Sequence, residues 1–255
     1  MAEPALSLKP LRQVPMVVPG DDLAAVLLAA VTAESLELRD GDVLAIAQKI
    51  VSKAEGRQVA LASVTPGAEA QELAAYTDKD PRLVQLILDE STEVLRKKPG
   101  VIIVRHRLGL VGANAGIDQS NIDHGSSEEA LLLPVDPDAS AGALRDNLRE
   151  RAGVNVGVII TDSMNRPWRL GTIGGAIGCA GVKVLDDYRG GEDLYGRELK
   201  VTLINRADAL AGAATLLMGE TTEKVPAVLI RGLDPIETSD RASDIPRPLE
   251  EDMFR

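Results

Sequence analysis

A chain of 255 residues with 45% hydrophobic side chains is long enough for one large domain or two ordinary ones around a real core. Aromatics make up only 2% and the net charge is −11, which leaves few stacking platforms for single strands and repels duplex DNA and anionic membranes, so neither nucleic acid nor membrane is an expected partner. Cys179 is the only cysteine and Met1-Ala2-Glu3-Pro4 lacks the layout of a signal peptide, so no intrachain disulfide can form and the reducing cytoplasm is the expected location.

Up to Pro19 the chain reads as short β-prone pieces broken by prolines, with Val14-Pro15-Met16-Val17-Val18-Pro19 the most strand-like. Gly20-Asp21-Asp22 opens an alanine-rich helix, whose apolar run from Leu23 to Ala33 is too short to span a bilayer. Val43 to Ala47 is a continuous apolar strand of the kind buried on both faces. In Gln48 to Arg57, Lys49, Lys53 and Arg57 recur every four residues and form one basic face if the piece is helical, with Lys53 a candidate phosphate contact. Pro66 to Tyr76 reads as a short helix and Pro81 to Arg96 as a longer one, with Leu83, Leu86, Ile87, Leu88 and Val94 as its apolar stripe.

Val101 to Val104 and Leu108 to Val111 read as two strands that run out into Asn114-Ala115-Gly116-Ile117-Asp118-Gln119-Ser120-Asn121, a stretch that delivers polar side chains to a place. Asp136-Pro137-Asp138 caps a helix with a solvated, alternately charged face. Val156 to Ser163 repeats the first layout, a buried strand ending in Asp162 beside hydroxyls. The glycine-rich run from Gly171 to Gly181 has no preceding strand in a βαβ unit and no following Walker lysine, so close backbone packing is its expected role. Strands near Lys183 to Leu185 and Lys200 to Ile204 flank a polar turn, Ala207 to Met218 is a helix of small residues, and Pro226 to Ile230 is a last strand. The tail from Asp234 shows no periodicity.

Asp118, Asp162 and Glu220 each sit where a regular element breaks into a polar turn, and oxygen ligands of this kind suit Mg²⁺ or Mn²⁺, with Ser163 able to add a hydroxyl. Zinc is disfavoured, because His106, His124 and Cys179 have no ligand spacing; His106 reads as structural. With Lys53, Arg166, Arg169, Asn114 and Asn121 added, the residues point to a metal-dependent enzyme that handles phosphate.

The chain also resembles the coenzyme F420-0:L-glutamate ligase (F420 γ-glutamyl ligase) family. The likeness runs in order through Gly20-Asp21-Asp22-Leu23, Gly41-Asp42-Val43-Leu44, Val51-Ser52-Lys53-Ala54-Glu55-Gly56-Arg57, Asn114 to Asp118 with Ser120-Asn121, and Gly157 to Asp162. It continues through Arg166-Pro167-Trp168-Arg169, Ala176-Ile177-Gly178, Asp193 to Glu198 and Leu217-Met218-Gly219-Glu220. The resemblance implies GTP-dependent addition of L-glutamate to a deazaflavin coenzyme F420 precursor, F420-0 and then F420-1, through γ-glutamyl links and an acyl phosphate. It implies Mn²⁺ or Mg²⁺, two ions, with K⁺ beside them, and an intertwined homodimer of unusual mixed-sheet α/β (α+β) fold.

Carried onto this chain, the resemblance makes Asp118, Asp162, Ser163 and Glu220 metal ligands and Asp118, Asp162 and Lys53 the catalytic set. Around GTP it places Val14, Pro15, Met16, Val17, Gln48, Lys49, Lys53, Asn121, Met218, Gly219, Glu220, Thr221, Thr222 and Val225. Ser163 stands where threonine is expected, and Gln48 and Lys49 replace smaller hydroxylated residues. Residues 1–233 are then the ligase region, as two intercalated subdomains, and 234–255 a polar tail or linker like that of relatives fused to a flavin-binding reductase domain. Two rivals remain: a ligase of the same scaffold for another amino acid or acceptor, and a non-catalytic metal- and nucleotide-binding module.

Overall fold

Runs of consecutive apolar residues build the central sheet, because a strand covered on both faces has no wet side. The computed structural model describes residues 5–122, 124 and 128–253; Met1 to Pro4 and the tail's Phe254 and Arg255 lie outside them. In chain order the first elements are β1 (Ser7–Pro10), α1 (Leu23–Ala33), β2 (Val43–Ala47), α2 (Gln48–Ala54), β3 (Gln58–Ala60), α3 (Ala68–Thr77), α4 (Pro81–Asp89), β4 (Ser91–Lys98) and β5 (Val101–His106). They are followed by β6 (Val111–Ala113), β7 (Glu129–Leu131), α5 (Pro137–Ala152), β8 (Gly157–Met164), β9 (Ile173–Ala180), β10 (Leu185–Asp187), β11 (Leu203–Asn205), α6 (Arg206–Met218) and β12 (Ala227–Arg231). The fold is mixed α/β, as expected.

The main sheet has the order β1-β12-β2-β8-β9, with β2 and β8 parallel and the other pairs antiparallel. Alternate residues point to opposite faces. Leu44, Ile46, Val158, Ile160, Ala227 and Leu229 join α1, α2 and α5 in one core. Val43, Ala45, Ile159, Val228 and Ile230 join α6 in another. α5 and α6 approach β9 closely: a Cβ on Gly178 would stand 2.3 Å from the Pro137 carbonyl oxygen, and one on Gly174 2.6 Å from that of Ala211. The glycine-rich run is therefore a strand on which helices close-pack. A third core, from α3, α4, β5 and β7, lies under the three-stranded sheet β4-β5-β6.

Several expected elements shift. The strand near the N-terminus is Ser7–Pro10 rather than Val14 to Pro19, whose two prolines lack ladder donors. The helix from Pro81 ends at Asp89, and Ser91–Lys98 forms a strand on β5 instead; cross-strand pairing of Val94 with Val104 overrides the helical stripe. Leu108 and Gly109 form a turn, and only Val111–Ala113 is strand. Arg57 lies beyond the end of α2, so the helix carries only Lys49 and Lys53 on its basic face.

Arg57 instead meets Glu90, at 2.8 Å. Arg107 Nε stands 3.0 Å and His106 Nε2 3.3 Å from the same carboxylate, which is only 12% exposed. Burial pushes the Glu90 carboxyl up, but His106, Arg107 and Arg57 together outweigh it and hold the group down at about 2 instead of 4.5. Stability from this group is fully present above pH 4.5 and is lost as the pH falls through about 2. Glu90→Gln should cost about 2 kcal/mol at pH 7 and almost nothing near the folded-state pKa, measured by urea unfolding across that range.

Candidate active site

Parallel pairing sets Ala47, the last residue of β2, opposite Thr161 of β8. The residues that follow each, Gln48 at the start of α2 and Asp162 on β8, therefore emerge at the same end of the sheet. Asp118 arrives from outside the main sheet, on the connection between β6 and β7. Its backbone is pinned to β7 in both directions, donating to Leu131 O at 3.0 Å and accepting from Leu131 N–H at 2.8 Å. The turn before it holds Asn114, Ala115 and Gly116 at φ of 54°, 56° and 66°. Left-handed backbone at a residue with a Cβ costs about 1–2 kcal/mol and collects at functional turns. Glu220 follows the Gly219 cap of α6.

These side chains face one cavity of about 220 Å³, lined by Lys49, Asp118, Ser120, Asp162, Ser163 and Glu220, with Leu110, Val111 and Met164 among its apolar walls. Lys49 Nζ stands 3.3 Å from Asp118 Oδ2, and Gln48 Nε2 donates to the same oxygen at 3.3 Å. Ser52 donates to Gln48 Oε1 at 2.9 Å, which fixes the amide's orientation. The Ser163 hydroxyl lies between both Glu220 oxygens, at 2.6 and 2.7 Å. Burial pushes the Asp162 carboxyl up to about 7, with the negative charges of Asp118 and Glu220 adding to it, while the Ser163 backbone N–H and Lys49 pull it down. Asp118 is also raised by burial, against Lys49.

Other expected residues are spread more widely. Lys53 donates to the Asn121 carbonyl at 2.9 Å, so these two meet at the rim of the same region. Val14 to Val17 connect β1 to α1 and do not line the cavity; Val17 is buried in the core and Met16 is exposed. Met218 and Val225 are buried, and Thr221 is occupied with Glu223, its hydroxyl 3.2 Å from that carboxylate. Arg166 donates to Gly171 O, and neither it nor Arg169 reaches the cavity wall. His124 bridges Gln119 O and the Glu129 N–H within its own loop. Ser120, within the same polar stretch, joins the site without any spacing signal of its own; its hydroxyl stands 3.5 Å from both Lys49 and Asp118.

Among the described residues, no three His, Cys, Asp or Glu side chains are gathered closely enough to hold an ion as they stand. The carboxylates ring the cavity, offset by Lys49 and the Ser163 hydroxyl. Their chemistry nevertheless fits a hard divalent cation: the donors are carboxylate and hydroxyl oxygens, and three like charges around one space repel until a cation offsets them.

A family model described as F420-0:Gamma-glutamyl ligase matches residues 12–232. The chain belongs to this family. The coenzyme F420:L-glutamate ligase of Methanopyrus kandleri is 49% identical over 256 residues, covering 99% of this chain and 98% of the relative. That of Methanothermobacter thermautotrophicus is 43% identical over 252 residues, 98% and 99% of the two chains, and that of Archaeoglobus fulgidus 44% over 246 residues, 96% and 95%. The F420-0:gamma-glutamyl ligase match thus takes in Lys49, Asp118, Ser120, Asp162, Ser163 and Glu220 of the cavity. In this ligase-family chain, Asp118→Asn should lower the Asp162 pKa from about 7 toward the ordinary value by removing one negative charge, read by carboxyl ¹³C NMR titration.

Proposed function

We propose that this chain is a coenzyme F420:L-glutamate ligase that uses GTP to join L-glutamate to F420-0, and again to F420-1, through γ-glutamyl amide bonds. The observation that carries the reading is the convergence of Asp118, Asp162 and Glu220 on one cavity beside Lys49, in a chain nearly half identical to a named ligase. A carboxylate oxygen of the precursor attacks the γ-phosphorus of GTP, and the bond to GDP breaks. The glutamate nitrogen then attacks the resulting acyl phosphate, phosphate leaves, and the nitrogen loses its proton to solvent or base. Asp118, Asp162, Ser163 and Glu220 would hold Mn²⁺ or Mg²⁺, which when bound offsets phosphate charge. Lys49 and Lys53, on one face of α2, would meet the triphosphate, and Gln48 orients Asp118. The protein's task is positioning two anions against each other more than covalent work.

Incubation with the deazaflavin precursor, GTP, Mn²⁺ and L-glutamate should give products heavier by one and then two glutamyl units, with GDP formed. Asp118→Ala and Asp162→Ala should each lower the rate by about 100-fold or more. Full turnover by either variant, or GTP bound with no GDP formed by the parent, contradicts the reading.

The same reading includes a homodimer. Trp168 is 88%, Leu194 98% and Tyr195 95% exposed, on the β8–β9 and β10–β11 connections. Leu216 on the outer face of α6 is exposed as well, and α6 packs on both β9 and β10. These exposed apolar side chains are the groups that a partner would cover, and a second copy of the chain is the partner that the family resemblance implies. Sedimentation should show a dimer that Leu194→Glu with Tyr195→Glu converts to monomer; a parent chain that sediments as a monomer at micromolar concentration contradicts it.

A further inference from the structure

The cavity that holds the carboxylates has a neighbour. A second cavity, of about 270 Å³, lies across Leu110, Val111 and Met164, which line both. Arg105 reaches it from β5. Ile102, Val104 and His106 of that strand are buried, and Arg105, at the alternate position, faces the other way. Its side chain is only 13% exposed, and Nε and Nη2 are enclosed with no hydrogen-bond partner among the described residues. Among the described residues the nearest carboxylates stand just too far off, Glu93 Oε2 at 3.6 Å from Nε and Asp252 Oδ2 at 3.7 Å from Nη2. A buried guanidinium with unmet donors is costly, and it is the group best shaped to take a carboxylate in a two-pronged grip.

We propose that Arg105 anchors a carboxylate of the L-glutamate substrate in this second cavity, with Asp252 of the C-terminal segment standing where that carboxylate would bind. The proposal rests on the ligase reading above. Three features of the cavity support it. At about 270 Å³ it lies below the roughly 300–1,000 Å³ typical of drug-sized ligands and suits an amino acid. Its lining carries both signs, Arg105 and Arg247 against Asp208 and Asp252, as a zwitterion requires. Asp252 Oδ2 stands 3.7 Å from Nη2, longer than the about 2.8 Å of a direct guanidinium–carboxylate hydrogen bond, which leaves that donor for a closer carboxylate. The shared wall sets the bound amino acid beside the space where the acyl group is activated.

The carboxyl end of the coenzyme precursor has the same chemistry, and kinetics separate the two. KM for L-glutamate, precursor and GTP should be measured for the full chain, Arg105→Lys and Asp252→Asn, with circular dichroism to check folding. Arg105→Lys should raise the KM for L-glutamate about 10-fold or more and leave that for GTP unchanged. Asp252→Asn, at a site outside the core, should lower the KM for L-glutamate by removing the competing carboxylate. It keeps the proposal testable if the arginine variant misfolds. Unchanged glutamate KM in both folded variants overturns the proposal, and so does a shift confined to the precursor's KM. If the parent chain forms no product at all, the ligase reading has failed instead. Binding of ¹³C-labelled L-glutamate to the parent and Asp252→Asn chains, followed by NMR, then decides the subsite by itself: no binding to either chain overturns it.

Discussion

The parallel pairing of β2 with β8 is the constraint on which the rest of the molecule depends. Parallel neighbours share polarity, so whatever leaves their carboxyl ends leaves on the same side of the sheet. Here that places α2, with Gln48, Lys49 and Lys53, beside Asp162 and Ser163. Parallel strands also require a long crossover. This one contains α3, α4, β4 to β7 and α5, and so carries an entire second packing unit. Asp118 sits within it, and the two-way backbone pairing with Leu131 swings its carboxylate back over the sheet end.

Gathering three carboxylates around one cavity sets their negative charges against one another. Asp162, half-buried next to Asp118 and Glu220, answers the conflict by holding its proton more tightly. Asp118 answers it with Lys49 and Gln48, and Glu220 with the Ser163 hydroxyl. Gln48 and Lys49 are both directly engaged with Asp118 and hold that carboxylate in place.

The stretch from Asp234 shows why periodicity is a partial guide. It has no repeating apolar pattern, yet it is tied to the body by specific hydrogen bonds. Asp138, at the start of α5, accepts the N–H groups of Cys179, Ala242 and Ser243, and Asp240 accepts that of Val184. Pro235 fills the space above Gly41, where a Cβ would stand 2.9 Å from the proline ring. Such side-chain-to-backbone ties leave no mark on hydropathy, whereas strands buried on both faces and helices capped by Asp22 or Asp136 do.

From its residues alone the chain determined the inner strands β2, β8 and β12, the helices that cover them, the packing role of the glycine run, and the polar breaks that carry Asp118, Asp162 and Glu220. Those features depend on local period and local chemistry, which a sequence displays directly. Tertiary structure alone decided that the apolar stripe after Pro81 would stop at Asp89, because strand pairing with β5 outweighs helical spacing. It sent Arg57 to Glu90 and away from the lysines, and it brought positions 118, 162 and 220 to a common cavity. Convergence of that kind depends on strand register and on the path of a long crossover, and the spacing of residues along a chain contains neither.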